Sequence, residues 1–292
     1  MHKSGFVTII GNPNVGKSTF LNKIIGENIS IISKKAQTTR HRLLGILNED
    51  DFQIVFTDTP GIINTKYELQ NAMMNFVKYS LQDSDVIVYI VSNEKKDILN
   101  EAILDSIIKT KLKLFLLINK VDLMTQNEVK SALDYWEKKY KPYKIFPISA
   151  LNKYNLDNVL VELKKVIPIS PPYFPKDSLT DRTLRFIISE IIREKIFKRY
   201  EKEIPYSSEV VVEEYKEKEN IVDISCIIYV ERESQKAIMI GKKGSALRSL
   251  GISSRKSIQN FINKKVFLTF KVKVLKNWRK KKQQLKKLGY LN

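Results

Sequence analysis

A short apolar run, Phe6-Val-Thr-Ile-Ile10, leads straight into Gly11-Asn-Pro-Asn-Val-Gly-Lys-Ser18. This junction limits the fold more than any other stretch, because the Gly-x4-Gly-Lys-Ser spacing works only between a strand and the first turn of a helix. The loop residues Gly11, Asn12, Pro13, Asn14, Val15 and Gly16 let the backbone curl until successive N–H groups point inward at a phosphate. The helix that opens with Lys17, Ser18 and Thr19 adds its positive end. Lys17 is placed to reach β/γ-phosphate oxygens and Ser18 to offer a hydroxyl to Mg²⁺. Glycines that merely made a turn would leave the Lys-Ser pair without a purpose.

The following residues continue the strand–helix alternation. Phe52-Gln-Ile-Val-Phe56, Val86-Ile-Val-Tyr-Ile-Val91, Leu114-Phe-Leu-Leu-Ile118 and Lys144-Ile-Phe-Pro-Ile148 are too short for helices and suit strands covered on both faces. Residues 19–25, 69–81 and 128–140 have helical spacing between them, and 43–47 reads as a further strand. The alternation predicts a doubly wound α/β domain with a mostly parallel sheet.

Three further motifs stand at the carboxyl ends of these strands, where ligands gather in open α/β sheets. Asp58-Thr59-Pro60-Gly61 supplies a carboxylate that holds Mg²⁺ through water and a Gly61 amide for a γ-phosphate. Asn119-Lys120-Val121-Asp122 supplies a carboxylate able to accept both the N1–H and the 2-amino hydrogens of guanine, an arrangement adenine lacks. Ser149-Ala150 is placed to support the base with a backbone amide. Before residue 43 lies Ala36-Gln-Thr-Thr-Arg-His-Arg42, where Thr38 or Thr39 can complete the Mg²⁺ shell when a γ-phosphate is present. We take Thr39; a plain polar loop is the other reading. Lys17, Thr39 and Gly61 are thus the candidate catalytic groups.

Ile167-Pro-Ile-Ser-Pro-Pro-Tyr-Phe-Pro175 interrupts this pattern, and its prolines favour a stiff extended linker. We divide the chain into residues 1–168, a linker 169–182, and 183–292. The third part opens with a helix placing Leu184, Ile187, Ile188, Ile191 and Ile192 on one face and Arg185, Glu190 and Arg193 on the other, capped by Thr180 or Asp181. A strand pair follows over 208–216 and 221–231, then helical patterns on either side of Gly241 to Gly251, then a strand over 266–274. This is an α+β domain of three strands backed by helices.

The net charge of +19 is unevenly spread. Residues 1–170 carry 23 Lys+Arg against 18 Asp+Glu, a balance of +5, and residues 171–292 carry 28 against 14, a balance of +14. Beyond Gly251 there are 13 basic residues and no acidic one, which points to a polyanion, nucleic acid or anionic lipid. Cys226 alternates into a buried-strand pattern, and His2 and His41 have no metal-site spacing. The longest apolar stretch, Val86 to Val91, is too short to span a bilayer, and a nucleotide motif starting at Gly11 leaves no room for a secretory leader. A cytoplasmic protein is expected.

In order, Gly-x4-Gly-Lys-Ser, Thr-Thr-Arg, Asp-Thr-Pro-Gly, Asn-Lys-Val-Asp and Ser-Ala resemble the translation-factor-related GTPases, and the Pro-Asn in the first loop resembles the Era branch. The later half carries Ile240-Gly241-Lys242-Lys243-Gly244, with Arg248 beyond, between two helical patterns and ahead of a strand. A Gly-x-x-Gly loop in that order is similar to type II KH domains, which clamp the backbone of about four nucleotides. The resemblance implies an α/β P-loop GTPase domain followed by an α+β type II KH domain. It further implies GTP/GDP and Mg²⁺ as ligands, and RNA binding through Ile240, Gly241, Lys242, Lys243, Gly244 and Arg248. The RNA would be the 3′ end of 16S small-subunit rRNA, the partner the 30S subunit, the role its assembly, and the protein a monomer. Ras-like enzymes place a water-orienting glutamine after the Asp-x-x-Gly; here Ile62 stands there, which implies slow intrinsic hydrolysis. Asn14 either ligates K⁺, as in some relatives, or only shapes its loop. Two other classes stay open. One is a GTPase peripheral to the inner membrane, using the Arg279-Lys-Lys-Lys282 and Lys286-Lys287 tail on anionic lipid. The other is an RNA chaperone whose nucleotide site no longer turns over.

Overall fold

The computed structural model describes residues 1–33, 35–92, 107 and 112–291. Their contacts divide the chain into two units, the first made of Met1–Ser30, Lys34–Lys66 and Gln70–Asp181, the second chiefly of Arg182–Asn292.

The first unit is built on a six-stranded sheet, β1 (Lys3–Ile10), β2 (Leu43–Asn48), β3 (Phe52–Asp58), β4 (Val86–Val91), β5 (Lys113–Ile118) and β6 (Lys144–Pro147), in the order β2-β3-β1-β4-β5-β6. Every neighbouring pair is parallel except β2 with β3. Helices α1 (Lys17–Ile25), α2 (Glu68–Gln82), α3 (Gln126–Tyr140) and α4 (Leu156–Val166) accompany it. All residues of β3 and β4 are buried, which explains why β4 reads as an unbroken apolar run and β3 does not alternate, its polar Gln53, Thr57 and Asp58 being buried too. The chain winds to β3 on one side of β1 and to β4 on the other, so the crevice of the sheet opens beyond Ile10, where the first glycine loop lies.

The proline-rich segment is extended and bonded to this unit along its length. Ser4 N–H donates to Pro168 O and Ser170 N–H to His2 O. Gln53 fastens the middle, accepting from the N–H groups of Tyr173 and Phe174 and donating to Phe174 O. Phe174 packs on Leu44, Ile46 and Val55, and the Tyr173 ring lies 4.9 Å from that of Phe6. Further on, Thr180 bridges Gly45 in antiparallel sense, Ile46 N–H donates to Leu179 O, Asn48 Nδ2 to Ser178 O, and Leu44 N–H to Asp181 Oδ1. The outer edge of β2 is therefore paired.

In the second unit, β7 (Glu209–Glu217), β8 (Val222–Val230) and β9 (Val266–Val274) form a sheet in that order, β7 antiparallel and β9 parallel to β8. It packs against α5 (Leu184–Arg199), α7 (Glu233–Ile240) and α8 (Ser245–Ile262) around Ile188, Ile192, Cys226, Ile228, Met239 and Leu250. Burial in this core pushes the Cys226 thiol up to about 12, so it stays a protonated, inert packing group. A short helix α6 (Ile204–Ser207) precedes β7, and α9 (Lys282–Lys287) closes the unit.

Three expectations need correction here. Thr180 and Asp181 do not cap α5; Thr183 does, accepting from Phe186 N–H at 3.3 Å, because the two earlier residues are engaged on β2. Glu190 and Arg193 do not face solvent. Both are buried, Arg193 completely, with Arg193 Nε 3.1 Å from Glu190 Oε1 and the guanidinium 5.4 Å from the Phe197 ring. One turn apart on a helix, the pair neutralises itself and so enters the interior. Gly251 does not end a loop; α8 runs through it, and a Cβ there would lie 3.7 Å from Phe270 Cε2.

Candidate nucleotide and nucleic-acid sites

The loop after β1 joins α1 with its two glycines in conformations that their neighbours require. Gly11 has φ 150° and a Cβ there would fall 2.3 Å from Ile90 O; Gly16 has φ 103° and its Cβ would fall 2.2 Å from Asn119 Nδ2. Asn14, at φ 65°, is an exposed left-handed residue at the tip of the loop. Gly16 admits Asn119 because that side chain is the crosslink of the whole site. Its Nδ2 donates to Val15 O at 2.7 Å, and its Oδ1 accepts from Ala150 N–H at 2.9 Å. The first loop, the Asn-Lys-Val-Asp loop and the Ser-Ala loop are thus held by one amide. Lys120 takes φ 67° and Val121 N–H donates to Ile148 O, which turns Asp122 outward on a short 3₁₀ turn with its carboxylate exposed. Ser149 and Ala150 are buried beneath it.

Lys17 is buried, and its ammonium donates to Gly11 O at 3.1 Å and Asn12 O at 2.8 Å. Burial lowers its pKa to about 8, with the nearby Asp58 opposing. Asp58, completely buried, has its carboxyl pushed up by desolvation, against the hydrogen bond from Ser18, the charge of Lys17 and the hydrogen bond from Ser30. Ser18 Oγ donates to Asp58 Oδ2 at 2.7 Å and lies 3.0 Å from Thr39 Oγ1. Of the two threonines in the preceding loop, Thr39 reaches this cluster, whereas Thr38 Oγ1 donates to Lys35 O. Thr59 is buried with its hydroxyl donating to Ile9 O, and Pro60 leads into Gly61, whose absent Cβ would meet Pro13 at 2.9 Å. Gly61 therefore lies against the phosphate loop, and Ile62 N–H donates to Gly11 O while its side chain is buried.

The donor set fits a hard divalent cation. Among the described residues nothing hydrogen-bonds to the buried Asp58 Oδ1, while the Ser18 hydroxyl meets the other oxygen and the Thr39 hydroxyl lies beside that of Ser18. Oxygen ligands of this kind are what Mg²⁺ takes.

In the second unit, α7 ends where Gly241 turns at φ 74°, its N–H donating to Ala237 O. A Cβ on Gly241 would fall 2.6 Å from Ala246 Cβ. Lys243 takes φ 48° and Gly244 φ 76°, after which α8 begins. Lys242, Lys243 and Arg248 are exposed, and Ile240 is half-buried at the end of α7. Beside this loop runs an open groove whose lining includes Leu247, Arg248, Ile252, Arg255 and Phe270. Arg248 is the expected RNA-binding residue among these; Ile252, Arg255 and Phe270 belong to no sequence motif, although Arg248, Ile252 and Arg255 recur at three- and four-residue spacing after the loop, the period of one helix face. The lysine-rich end is not a loose tail. Trp278 is buried with its Nε1 donating to Ser207 O, Tyr290 OH donates to Glu209 Oε2 at 2.6 Å, and Leu285 is buried from α9. Lys280, Lys281, Lys282, Lys286 and Lys287 are exposed on this docked segment.

A family model of 50S ribosome-binding GTPases matches residues 6–120, and a KH-domain model matches residues 203–279. Among solved structures, a variant of Aquifex aeolicus Era bound to GDP·AlF4⁻ is 37% identical over 99% of this chain and 100% of its own, with a TM-score of 0.95. Era in complex with MgGDPNP and nucleotides 1506–1542 of 16S ribosomal RNA is also 37% identical, over 100% of both chains, with a TM-score of 0.96.

Proposed function

The chain belongs to the Era family of GTPases, and from that premise we propose that it is a GTP-hydrolysing switch that binds the 3′ end of 16S rRNA through its KH domain and acts in 30S assembly. The observation that carries the reading is the Asn119 crosslink, which ties the phosphate loop to both loops suited to a guanine base. Asp122 accepts from the base and Ala150 supports it. The amides of residues 14–18 and the Lys17 ammonium hold the β- and γ-phosphates, and Gly61 N–H meets the γ-phosphate against Pro13. Ser18 and Thr39 hold Mg²⁺, with Asp58 behind them; the bound cation neutralises charge on the phosphates. Ile62 offers no polar atom to a water, so unassisted turnover is slow. K⁺ at Asn14 belongs to this proposal and predicts faster turnover in KCl than in NaCl.

For the RNA, Gly241 and Gly244 permit close approach of a phosphate, Lys242 and Lys243 supply charge, and the groove of Leu247, Ile252 and Phe270 takes bases. The proposed site of action is the cytoplasmic 30S subunit, with the protein a monomer. Among the described residues no helix is long and apolar enough to cross a membrane.

Multiple-turnover phosphate release with and without the RNA tests the switch; absence of turnover in both would favour a chaperone. RNA titration over several salt concentrations tests the loop. Lys242→Asp/Lys243→Asp is expected to weaken single-stranded RNA binding at least tenfold, since repulsion replaces attraction. Neutralising Lys280, Lys281 and Lys282 gives a smaller loss and a shallower salt slope. If the loop variant binds RNA normally while the tail variant loses flotation on anionic vesicles, the membrane reading replaces this one.

A further inference from the structure

Among the described residues, three side chains act on Asp58. Lys17 and Ser18 belong to the phosphate loop, but the third, Ser30, lies outside every motif. Its Oγ donates to Asp58 Oδ2 at 2.8 Å, the oxygen that also accepts from Ser18 at 2.7 Å. Its backbone is gripped on both sides by Asn22 of α1: Asn22 Nδ2 donates to Ser30 O at 2.7 Å, and Ser30 N–H donates to Asn22 Oδ1 at 2.9 Å. Ser30 and Asn22 are 8% and 5% exposed, so water does not compete for these bonds.

The arrangement has a directional consequence. Two donors on Oδ2 fix the plane of the carboxylate, and the other oxygen, Oδ1, is buried with no hydrogen bond from any of the described residues. With Ser18 alone, the group rotates about its last torsion, which is soft. With Ser30 as well, the bare oxygen has one direction in which to meet a metal-bound water. Partners that orient a ligand in this way are worth about 10–100-fold in metal affinity.

We propose that Ser30 is a positioning residue for Mg²⁺. It orients Asp58 for the metal's shell and, through Asn22, ties the entrance of the segment that carries Thr39 to the phosphate-loop helix. The inference rests on the GTPase reading above. The test measures GDP affinity of the full chain in Mg²⁺ and in EDTA, for the unmutated protein, Ser30→Ala and Ser30→Thr, with circular dichroism as the folding control. Ser30→Ala is expected to leave affinity in EDTA unchanged and to cut the enhancement by Mg²⁺ about tenfold. Its KM for GTP in saturating Mg²⁺ should rise about tenfold with kcat changed less, because slow chemistry makes KM follow the dissociation constant, and the Mg²⁺ concentration for half-maximal turnover should rise. Ser30→Thr, which keeps the hydroxyl, restores the Mg²⁺ enhancement. Equal weakening in Mg²⁺ and EDTA, no change, or failure of threonine to restore would overturn the role of Ser30. Absence of any Mg²⁺ enhancement in the unmutated protein would instead overturn the GTPase reading.

Discussion

Lys17 brings an ammonium into a site where only 6% of the residue is exposed, with two loop carbonyls and one carboxylate for company. A phosphate chain is the partner that this charge lacks. Burial holds its pKa near 8, and a bound nucleotide raises it again. Below pH 8 the free site is already charged, so GDP affinity should be flat. Above pH 8 binding must take up a proton, and affinity should fall by up to about tenfold per pH unit. Calorimetry from pH 6.5 to 9, in buffers of different ionisation heat, reads both the slope and the proton, and Lys17→Met should abolish the uptake. The stability of the free protein moves the other way. Between about 8 and 10.5 the unfolded chain holds a proton that the folded one has released, so stability rises with pH across that window. The role of Lys17 was legible from spacing alone. Those of Ser30 and Asn22 were not, because their meaning is a contact with Asp58 across 28 residues and no local pattern encodes it.

At the scale of elements, β4 and β5 are visible because burial makes them plain apolar runs, whereas β6, expected to be covered on both faces, is half-exposed along Lys144–Pro147; the strand ends place the motifs. In α5 the charge pattern misleads for a physical reason. Charge ordinarily marks a solvent face, but Glu190 and Arg193 stand one turn apart and cancel each other inside. A sequence pattern records polarity, not pairing. Removing the carboxylate leaves the guanidinium buried without it, so Glu190→Ala should destabilise the second unit by about 3 kcal/mol, whereas Arg185→Ala on the exposed face should fall within about 0.5 kcal/mol. Urea unfolding followed by tryptophan fluorescence in a Trp136→Phe background, which leaves Trp278 as the reporter, measures both. The cap falls at Thr183, two or three residues beyond Asp181 and Thr180, because those two residues are committed to the edge of β2. The groove beside Gly241 was half legible: its loop and glycines were, its floor of Phe270 was not, since that residue arrives from β9 and only the fold brings it alongside α8.

At the scale of the molecule, the charge asymmetry and the order of motifs already separated a nucleotide half from a polyanion half. What composition did not disclose is how the proline-rich stretch is used. Prolines suggested a spacer, yet Gln53 and the edge of β2 hold that stretch through Asp181. An unpaired antiparallel edge strand is a template for another chain, and natural sheets avoid leaving one open. Residues 178–181 therefore act as a selvage for the sheet: they finish a border that would otherwise fray into intermolecular pairing. A fragment of residues 1–168 would expose Leu44, Ile46 and Phe6 along with the backbone of β2, and should aggregate or self-associate in light scattering. A fragment of residues 1–181 should stay monodisperse and bind GDP like the full chain. Equal solubility of the two fragments would show that the border is not needed. Where a solvent-rich, proline-dense sequence would ordinarily be trimmed as a dispensable tether, here the hem belongs to the cloth.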